Sequence, residues 1–232
     1  MDLIENTSTR KFARSFGFLA AILAALWSLP ASAGTMLEPV SASTDIPSFS
    51  LDQASPMNVV NQSGLWNTYT SGVTDFDTFM ASGPPHSNGG GWVSGYFALT
   101  GNFDFDLGGS YSIAGLALWS LNDGTAIGDF RLLASDDATF ANSTLLGAFT
   151  NNPPGGRFNF NDPQVFRFAA TNAAFVRIEI LSNQGSIFNT SILEAAFDAS
   201  SASAVPEPSS VVMMGLGAVG IGGMIARRLR AA

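Results

Sequence analysis

Residues Val205–Ala232 constrain what the rest of this chain can be. Val205-Pro206-Glu207-Pro208 leads into an uncharged apolar run from Ser209 to Ala226, closed by Arg227-Arg228-Leu229-Arg230. Eighteen residues at 1.5 Å rise each make roughly 27 Å of helix, close to the ~30 Å hydrocarbon core of a bilayer. Arginines flanking such a span hold that end on the cytoplasmic side. The sequence therefore predicts a transmembrane helix over 209–226, with Arg227, Arg228 and Arg230 inside and the chain before it outside. An ordinary tail anchor would look much the same, except that a span has no use for Pro206-Glu207-Pro208.

The N-terminus agrees with that topology. Arg10, Lys11 and Arg14 precede an apolar run from Phe16 to Leu29, and Ala31-Ser32-Ala33 follows. Charge, apolar core and small-residue cleavage site, in that order, predict a secretory signal peptide over 1–33. An uncleaved second anchor is the alternative, for which the run is short. Both ends are addressing devices, and the working part is Gly34–Ala204.

Those 171 residues suffice for one domain with a sizeable core. Their only cations are Arg131, Arg157, Arg167 and Arg177, against fifteen carboxylates, a net charge of −11. So acidic a domain repels phosphate backbones, which excludes nucleic acid as a partner. The chain has no cysteine, so thiol nucleophiles, thiolate metal sites and disulfides are all excluded.

From Phe103 onward the pattern is that of short strands. Runs rich in aromatic and branched residues lie at Phe103–Leu107, Ile113–Leu121, Phe130–Ser135, Leu145–Thr150, Val165–Ala169, Phe175–Leu181 and Ile192–Asp198. Asn122-Asp123-Gly124 and Asn151-Asn152-Pro153-Pro154-Gly155-Gly156 punctuate them as loops. In Phe175-Val176-Arg177-Ile178-Glu179-Ile180, Val176, Ile178 and Ile180 share one face while Arg177 and Glu179 share the other. No segment of the domain shows a sustained helical period. The expectation is an all-β sandwich over 54–198, with 34–53 a Ser/Thr/Pro-rich leader and 199–204 a linker.

Two resemblances sharpen this. The Pro-Glu-Pro signature, Gly-rich apolar helix and terminal basic cluster together resemble the PEP-CTERM sorting signal of Gram-negative bacteria. That resemblance implies an exosortase-type membrane enzyme acting near Pro206-Glu207-Pro208, a precursor held in the inner membrane, and delivery to the cell surface or matrix. Within the domain, Phe103-Asp104-Phe105-Asp106-Leu107-Gly108 followed by Ile113–Trp119 resembles the paired strands of discoidin or coagulation-factor C-type domains. Phe130–Asp137, Phe175-Val176-Arg177-Ile178, Ile192–Phe197 and Gly91-Trp92-Val93-Ser94 match further motifs of that family in order. The resemblance implies a galactose-binding-like jelly roll.

The loop Gly83-Pro84-Pro85-His86-Ser87-Asn88-Gly89-Gly90-Gly91-Trp92 is the richest candidate for binding. Trp92 could stack on a sugar while His86 and Asn88 bond its hydroxyls, with Trp66, Tyr69 and Tyr96 as secondary candidates. The alternative is that these aromatics tuck into the core, as Trp119 in its apolar strand should. The family resemblance also implies one calcium ion joining the N-terminal loop to the last strand. Asp75, Asp77 and Glu194 are the candidate ligands, calcium being a cation that wants six to eight oxygens. Catalytic signals are thin: His86 is the only histidine, and no serine sits in a G-x-S-x-G elbow. The sequence thus points to a secreted, surface-sorted, non-enzymatic module whose ligand class is carbohydrate or exopolysaccharide. A structural matrix protein without a small ligand and a polysaccharide hydrolase are the competing readings.

Overall fold

The computed structural model describes residues 34–50, 54–153 and 160–201. The signal peptide, the 209–226 helix and the sorting residues Pro206, Glu207, Pro208, Arg227, Arg228 and Arg230 lie outside them. Among the described residues no helix is long and apolar enough to cross a membrane.

Eleven strands are described: β1 (Thr35–Leu37), β2 (Ser41–Thr44), β3 (His86–Ser87), β4 (Trp92–Val93), β5 (Gly101–Trp119), β6 (Asp129–Ser135), β7 (Ser143–Thr150), β8 (Phe160–Asn161), β9 (Gln164–Ile180), β10 (Ser191–Ile192) and β11 (Glu194–Ser201). A 3-10 turn covers Pro56–Val60 and one helix, α1, covers Phe76–Ala81. Adjacent sequence runs merge into two long strands, β5 and β9, which do most of the architectural work. The first part of β5 pairs with β2 and with the Phe175–Ile180 half of β9; its second part pairs with β11 and the Gln164–Ala173 half of β9. The ladder slips between Asp106 and Tyr111, where Gly108 takes φ 78°, a left-handed conformation that glycine adopts freely. One hydrogen-bonded path, β1-β11-β5-β9-β6-β7 with β2 beside β5, thereby serves both layers of a jelly-roll sandwich.

Period-2 burial fills the space between the layers. Phe103, Phe105 and Leu107 of β5 and Val176, Ile178 and Ile180 of β9 are all buried, each large side chain contributing roughly 1.5–3 kcal/mol. The residues between them face outward as the sequence predicts. Arg177 holds Asp104 through two hydrogen bonds of 2.6 and 2.7 Å, and Arg131 holds Glu179 at 2.7 Å. Toward its end β5 is buried on both faces, because a second cluster containing Met36, Leu65, Phe76, Phe79 and Trp119 covers the outer face of the β1–β11–β5 layer. Trp119 is core, its Nε1 donating to the Pro84 carbonyl at 2.8 Å.

Two boundaries and one short helix differ from the sequence expectation. The supposed leader 34–53 supplies β1, which pairs with β11, and β2, which pairs with β5, so the sandwich begins at the N-terminal end of that segment. These strands are three and four residues long, and β2 reads Ser-Ala-Ser-Thr, too short and polar to register as strands. At the other end β11 runs to Ser201, into the predicted linker 199–204. Helix α1 has six residues, less than two turns, and so leaves no periodic trace.

Candidate functional site

The Gly83–Trp92 loop folds inward. Trp92 is fully buried, its ring 5.1 Å from that of Phe103, and its Nε1 donates to Ser48 Oγ at 2.9 Å. It therefore offers no stacking face, and the platform role expected of it is corrected to a core role. The adjacent glycines serve packing rather than ligand approach. A Cβ on Gly91 would lie 2.4 Å from the Ile192 carbonyl oxygen, and one on Gly90, at φ 94°, would lie 2.5 Å from that of Ser63. His86 is likewise fully buried; its Nδ1 and the Ser87 carbonyl oxygen share a hydrogen bond of 2.6 Å, and burial holds its pKa below the ordinary value. Its predicted role as a sugar contact is corrected too. Tyr69 packs its ring against Phe79 at 5.4 Å beneath the surface. Asn88 is exposed, with its Oδ1 accepting from Asn161 at 2.8 Å. Of the predicted aromatics, Trp66 and Tyr96 remain at the surface, 65% and 63% exposed.

Tyr96 is one member of a row that the sequence did not reveal. Phe49 meets Tyr96 edge-on at 5.2 Å, Tyr96 lies 6.3 Å from Phe97, and Phe97 lies 5.9 Å from Phe188. All four rings are exposed, Phe97 at 72%. They come from three separate places: the segment after β2, the β4–β5 loop and the β9–β10 loop. Phe97 holds φ 64° while its N–H donates to the Phe188 carbonyl at 2.6 Å. A bulky residue in the left-handed region costs about 1–2 kcal/mol, and such strain concentrates where function needs a side chain held in place. Gly95-Tyr96-Phe97 was the available signal, but nothing in sequence brings Phe49 and Phe188 beside it.

The same rim carries a polar cleft. Strand register sets Gly101 and Phe130 opposite Ile180, and Asp129 opposite Thr150, so the loops flanking β5, β6, β7 and β9 emerge together. Asn122, Asp123, Asn152, Pro153 and Gln184 line a cleft of about 300 Å³ there. Its walls are fixed from beneath: Asn151 Nδ2 donates to Ser120 Oγ and the Ile127 carbonyl, both at 3.0 Å, and Gln184 Nε2 donates to the Asn151 carbonyl. The β9–β10 loop contributes Gln184 to the cleft and Phe188 to the aromatic row. Exposed ring faces and side-chain amides thus sit on loops of one rim.

The carboxylates expected to hold calcium are not brought together. Asp75 caps α1, its Oδ1 accepting the Thr78 N–H at 2.8 Å, and the Thr78 hydrogen bonds hold its pKa below the ordinary value. Asp77 pairs with Arg167, which also pairs with Asp198 and lies 4.7 Å over the Phe76 ring. Among the described residues no three acidic or histidine side chains cluster to hold a metal. Asp75 and Asp77 are therefore withdrawn as ligands. Glu194 differs: it is fully buried, and among the described residues no side chain donates to its carboxylate. Burial pushes its pKa up to about 9, Glu38 adds to the rise, and the Gln62 backbone N–H opposes it. Burial, Glu194 and Glu38 together push the Tyr69 hydroxyl above its ordinary value, and that hydroxyl also lacks a partner. A buried carboxylate with no cationic or side-chain donor needs a proton or a cation. The carboxylates of Glu194 and Glu38 are hard oxygen donors of the kind calcium takes.

Residues 204–230 match the PEP-CTERM protein-sorting motif. No curated protein matches the chain. Among solved structures, a variant of chitosan-binding module 1 from a Paenibacillus sp. IK-5 chitosanase/glucanase is similar with a TM-score of 0.50 and 14% identity, over 71% of this chain and 98% of that one. CBM32-3 from a family 31 glycoside hydrolase of Clostridium perfringens has a TM-score of 0.47 and 16% identity, over 71% of this chain and 91% of that one. CpGH89CBM32-5 of the same organism, in complex with GalNAc-β-1,3-galactose, has a TM-score of 0.46 and 16% identity, over 71% and 95%. At such identities the likeness is one of fold. The chain thus has a jelly-roll β-sandwich fold like that of the chitosan-binding module, and its residues 204–230 match the PEP-CTERM sorting motif.

Proposed function

We propose that this protein is a secreted, surface-sorted carbohydrate-binding module without enzymatic activity, gripping a polysaccharide across its loop rim. Phe49, Tyr96, Phe97 and Phe188 supply stacking faces, and Asn122, Asn152 and Gln184 supply hydrogen bonds to hydroxyls. The observation that carries the reading is the exposed four-ring row, with Phe97 held at φ 64° in its midst. Water-facing rings are costly for a soluble surface unless something covers them. A chitosan-binding module shares the fold. In this reading the route is export, retention of the precursor in the inner membrane by 209–226, and processing by an exosortase-type enzyme near Pro206-Glu207-Pro208, which the match to the sorting motif supports. Calcium has a structural part in this proposal, held by Glu194 with Glu38, where it would neutralise buried charge and fix the first loop to β11.

The test is a screen of the full chain against extracellular polysaccharides, with a Tyr96→Ala variant in parallel. Binding to at least one polysaccharide, weakened at least about tenfold in the variant while the melting curve holds, supports the reading. No binding to any of them would favour a matrix protein without a small ligand, and cleavage of the polymer would restore the hydrolase.

A further inference from the structure

Gly34 sits against a carboxylate. A Cβ built on it would lie 1.5 Å from Asp198 Oδ1, so a residue with a side chain fits there only if Asp198 moves. The same geometry places the Gly34 nitrogen. Within one residue N and Cβ are about 2.5 Å apart, so that nitrogen lies within about 4 Å of Asp198 Oδ1. The position is held from two elements. The Gly34 carbonyl accepts the Phe76 N–H of α1 at 3.0 Å, and Thr35 pairs with Ala199 of β11 while bridging Asp75. The first residues of a domain are poorly ordered unless tied down in this way.

Carboxylates outnumber cations around this point. Asp75 caps α1, Asp77 lies in its first turn, Asp198 comes from β11 and Arg167 from β9. Gly115 of β5 is in register with both Asp198 and Arg167 and adds no charge. Arg167 is shared between Asp77 and Asp198. Among the described residues one guanidinium thus serves three carboxylates. Asp198 is the most enclosed of the Arg167 partners, its side chain 10% exposed against 82% for Asp77. Burial pushes its pKa up, Arg167 opposes the rise, and Asp77 and Asp75 add to it. A further cation within about 4–6 Å would favour its ionised form.

The chain supplies that cation when its leader is removed. A compact unit starts at Gly34, the residue after Ala31-Ser32-Ala33, where the sequence predicts cleavage. Hydrolysis of the Ala33–Gly34 peptide bond consumes one water, leaves a carboxylate on Ala33 and frees an α-amine on Gly34. At neutral pH that amine is mostly an ammonium. We propose that the new α-ammonium of Gly34 pairs with Asp198, so that processing completes the charge balance where β1, β11 and α1 meet. This rests on the secreted reading given above. In the precursor the same nitrogen is a neutral amide, so the domain acquires the ion pair only once it is processed. Maturation thereby favours the folded state of the exported domain over that of its precursor.

Composition makes the pair testable. The chain's only lysine is Lys11, ahead of the cleavage site, so a mature protein starting at Gly34 carries a single amine. Intact mass of the protein exported by its native host fixes the start, and a mature chain that begins elsewhere overturns the pairing and the predicted cleavage together. Labelling with an acylating probe is then followed against pH. An α-amine ordinarily titrates at about 8. In the folded protein half-maximal labelling should come about one unit higher, which makes labelling about tenfold slower at pH 7, and it should return to the ordinary value in urea. Asp198→Asn should bring the folded value back by the same unit. An ordinary titration in the folded wild type, or a raised one that Asp198→Asn leaves in place, overturns the pairing and leaves the secreted reading intact. If Asp198→Asn fails to fold, folded and urea-unfolded wild type decide alone: a raised folded value supports the pair, and equal values overturn it.

Discussion

Trp92 Nε1 donates to Ser48 Oγ at 2.9 Å, and Phe49, next to Ser48, and Tyr96, four residues beyond Trp92, are two of the four exposed rings. Ser48 bridges Ser94, and Phe49 N–H donates to the Val93 carbonyl at 2.9 Å. The buried indole thus pins the backbones from which Phe49 and Tyr96 project. Trp92→Ala should cost about 3–5 kcal/mol through cavity formation. Ser48→Ala, which strands a buried indole N–H, should cost about 1–3 kcal/mol. Urea midpoints measure both. A neutral Trp92→Ala would mean that the indole is not core.

Glu194 makes stability fall as pH rises. Its folded pKa of about 9 lies above the ordinary 4.5, so between those values the native state holds a proton that the unfolded chain has released. Stability then declines with rising pH across that window, by at most about 1.4 kcal/mol per unit, and levels off above it. His86 acts oppositely: its lowered pKa makes the unfolded chain take up a proton first as pH drops below 6.5, so its contribution is lost on acidification. The Glu194 slope is therefore read between pH 7 and 8.5 in chelator. Glu194→Gln should remove it. Calcium at a hundredfold excess over Kd should add about 2.7 kcal/mol to the wild type and nothing to Glu194→Gln. Identical melting curves in calcium and chelator would exclude the ion.

The sandwich was largely legible because alternation survives in sequence. Val176, Ile178 and Ile180 face the core and Arg177 and Glu179 face out as their spacing dictates. The candidate binding residues were less legible, because exposure is a property of the folded loop rather than of residue type. Trp92 and Tyr96 lie four apart with similar character, yet one is fully buried and the other 63% exposed. Phe49 and Phe188 come together only through the pairing of distant segments. Asp75 and Asp77 have the spacing of paired ligands, but a helix cap and a salt bridge to Arg167 absorb them. Glu194 was visible as a carboxylate; its burial without a side-chain donor was not.

Sorting is separable from folding. Changing Pro206, Glu207 and Pro208 to alanine touches no residue of the sandwich, so the melting curve should stay put. In the native host the change should leave a membrane-associated chain whose mass includes Arg227, Arg228 and Arg230, whereas the unaltered protein should lose them. Intact-mass spectrometry of surface and membrane fractions distinguishes the two. A mature wild-type protein that retains the arginine cluster would rule out processing at this motif.

Phe97→Gly separates binding from stability more sharply than any truncation in the core. At φ 64° phenylalanine is strained, whereas glycine is not. The ring is 72% exposed, so little buried area is lost with it. Relief of strain and the greater freedom of glycine in the unfolded chain oppose each other, and the net change should lie within about 1 kcal/mol of wild type. Binding should respond otherwise. Removing the central ring leaves Tyr96 and Phe188 without their shared neighbour and breaks the platform, so affinity for the polysaccharide should fall at least about tenfold, roughly 1.4 kcal/mol. Calorimetric titration and a melting curve on the same sample give both numbers. Undiminished affinity would mean that the strained ring is not part of the sugar site, and a loss of stability beyond about 2 kcal/mol would mean that Phe97 holds the loop rather than the ligand.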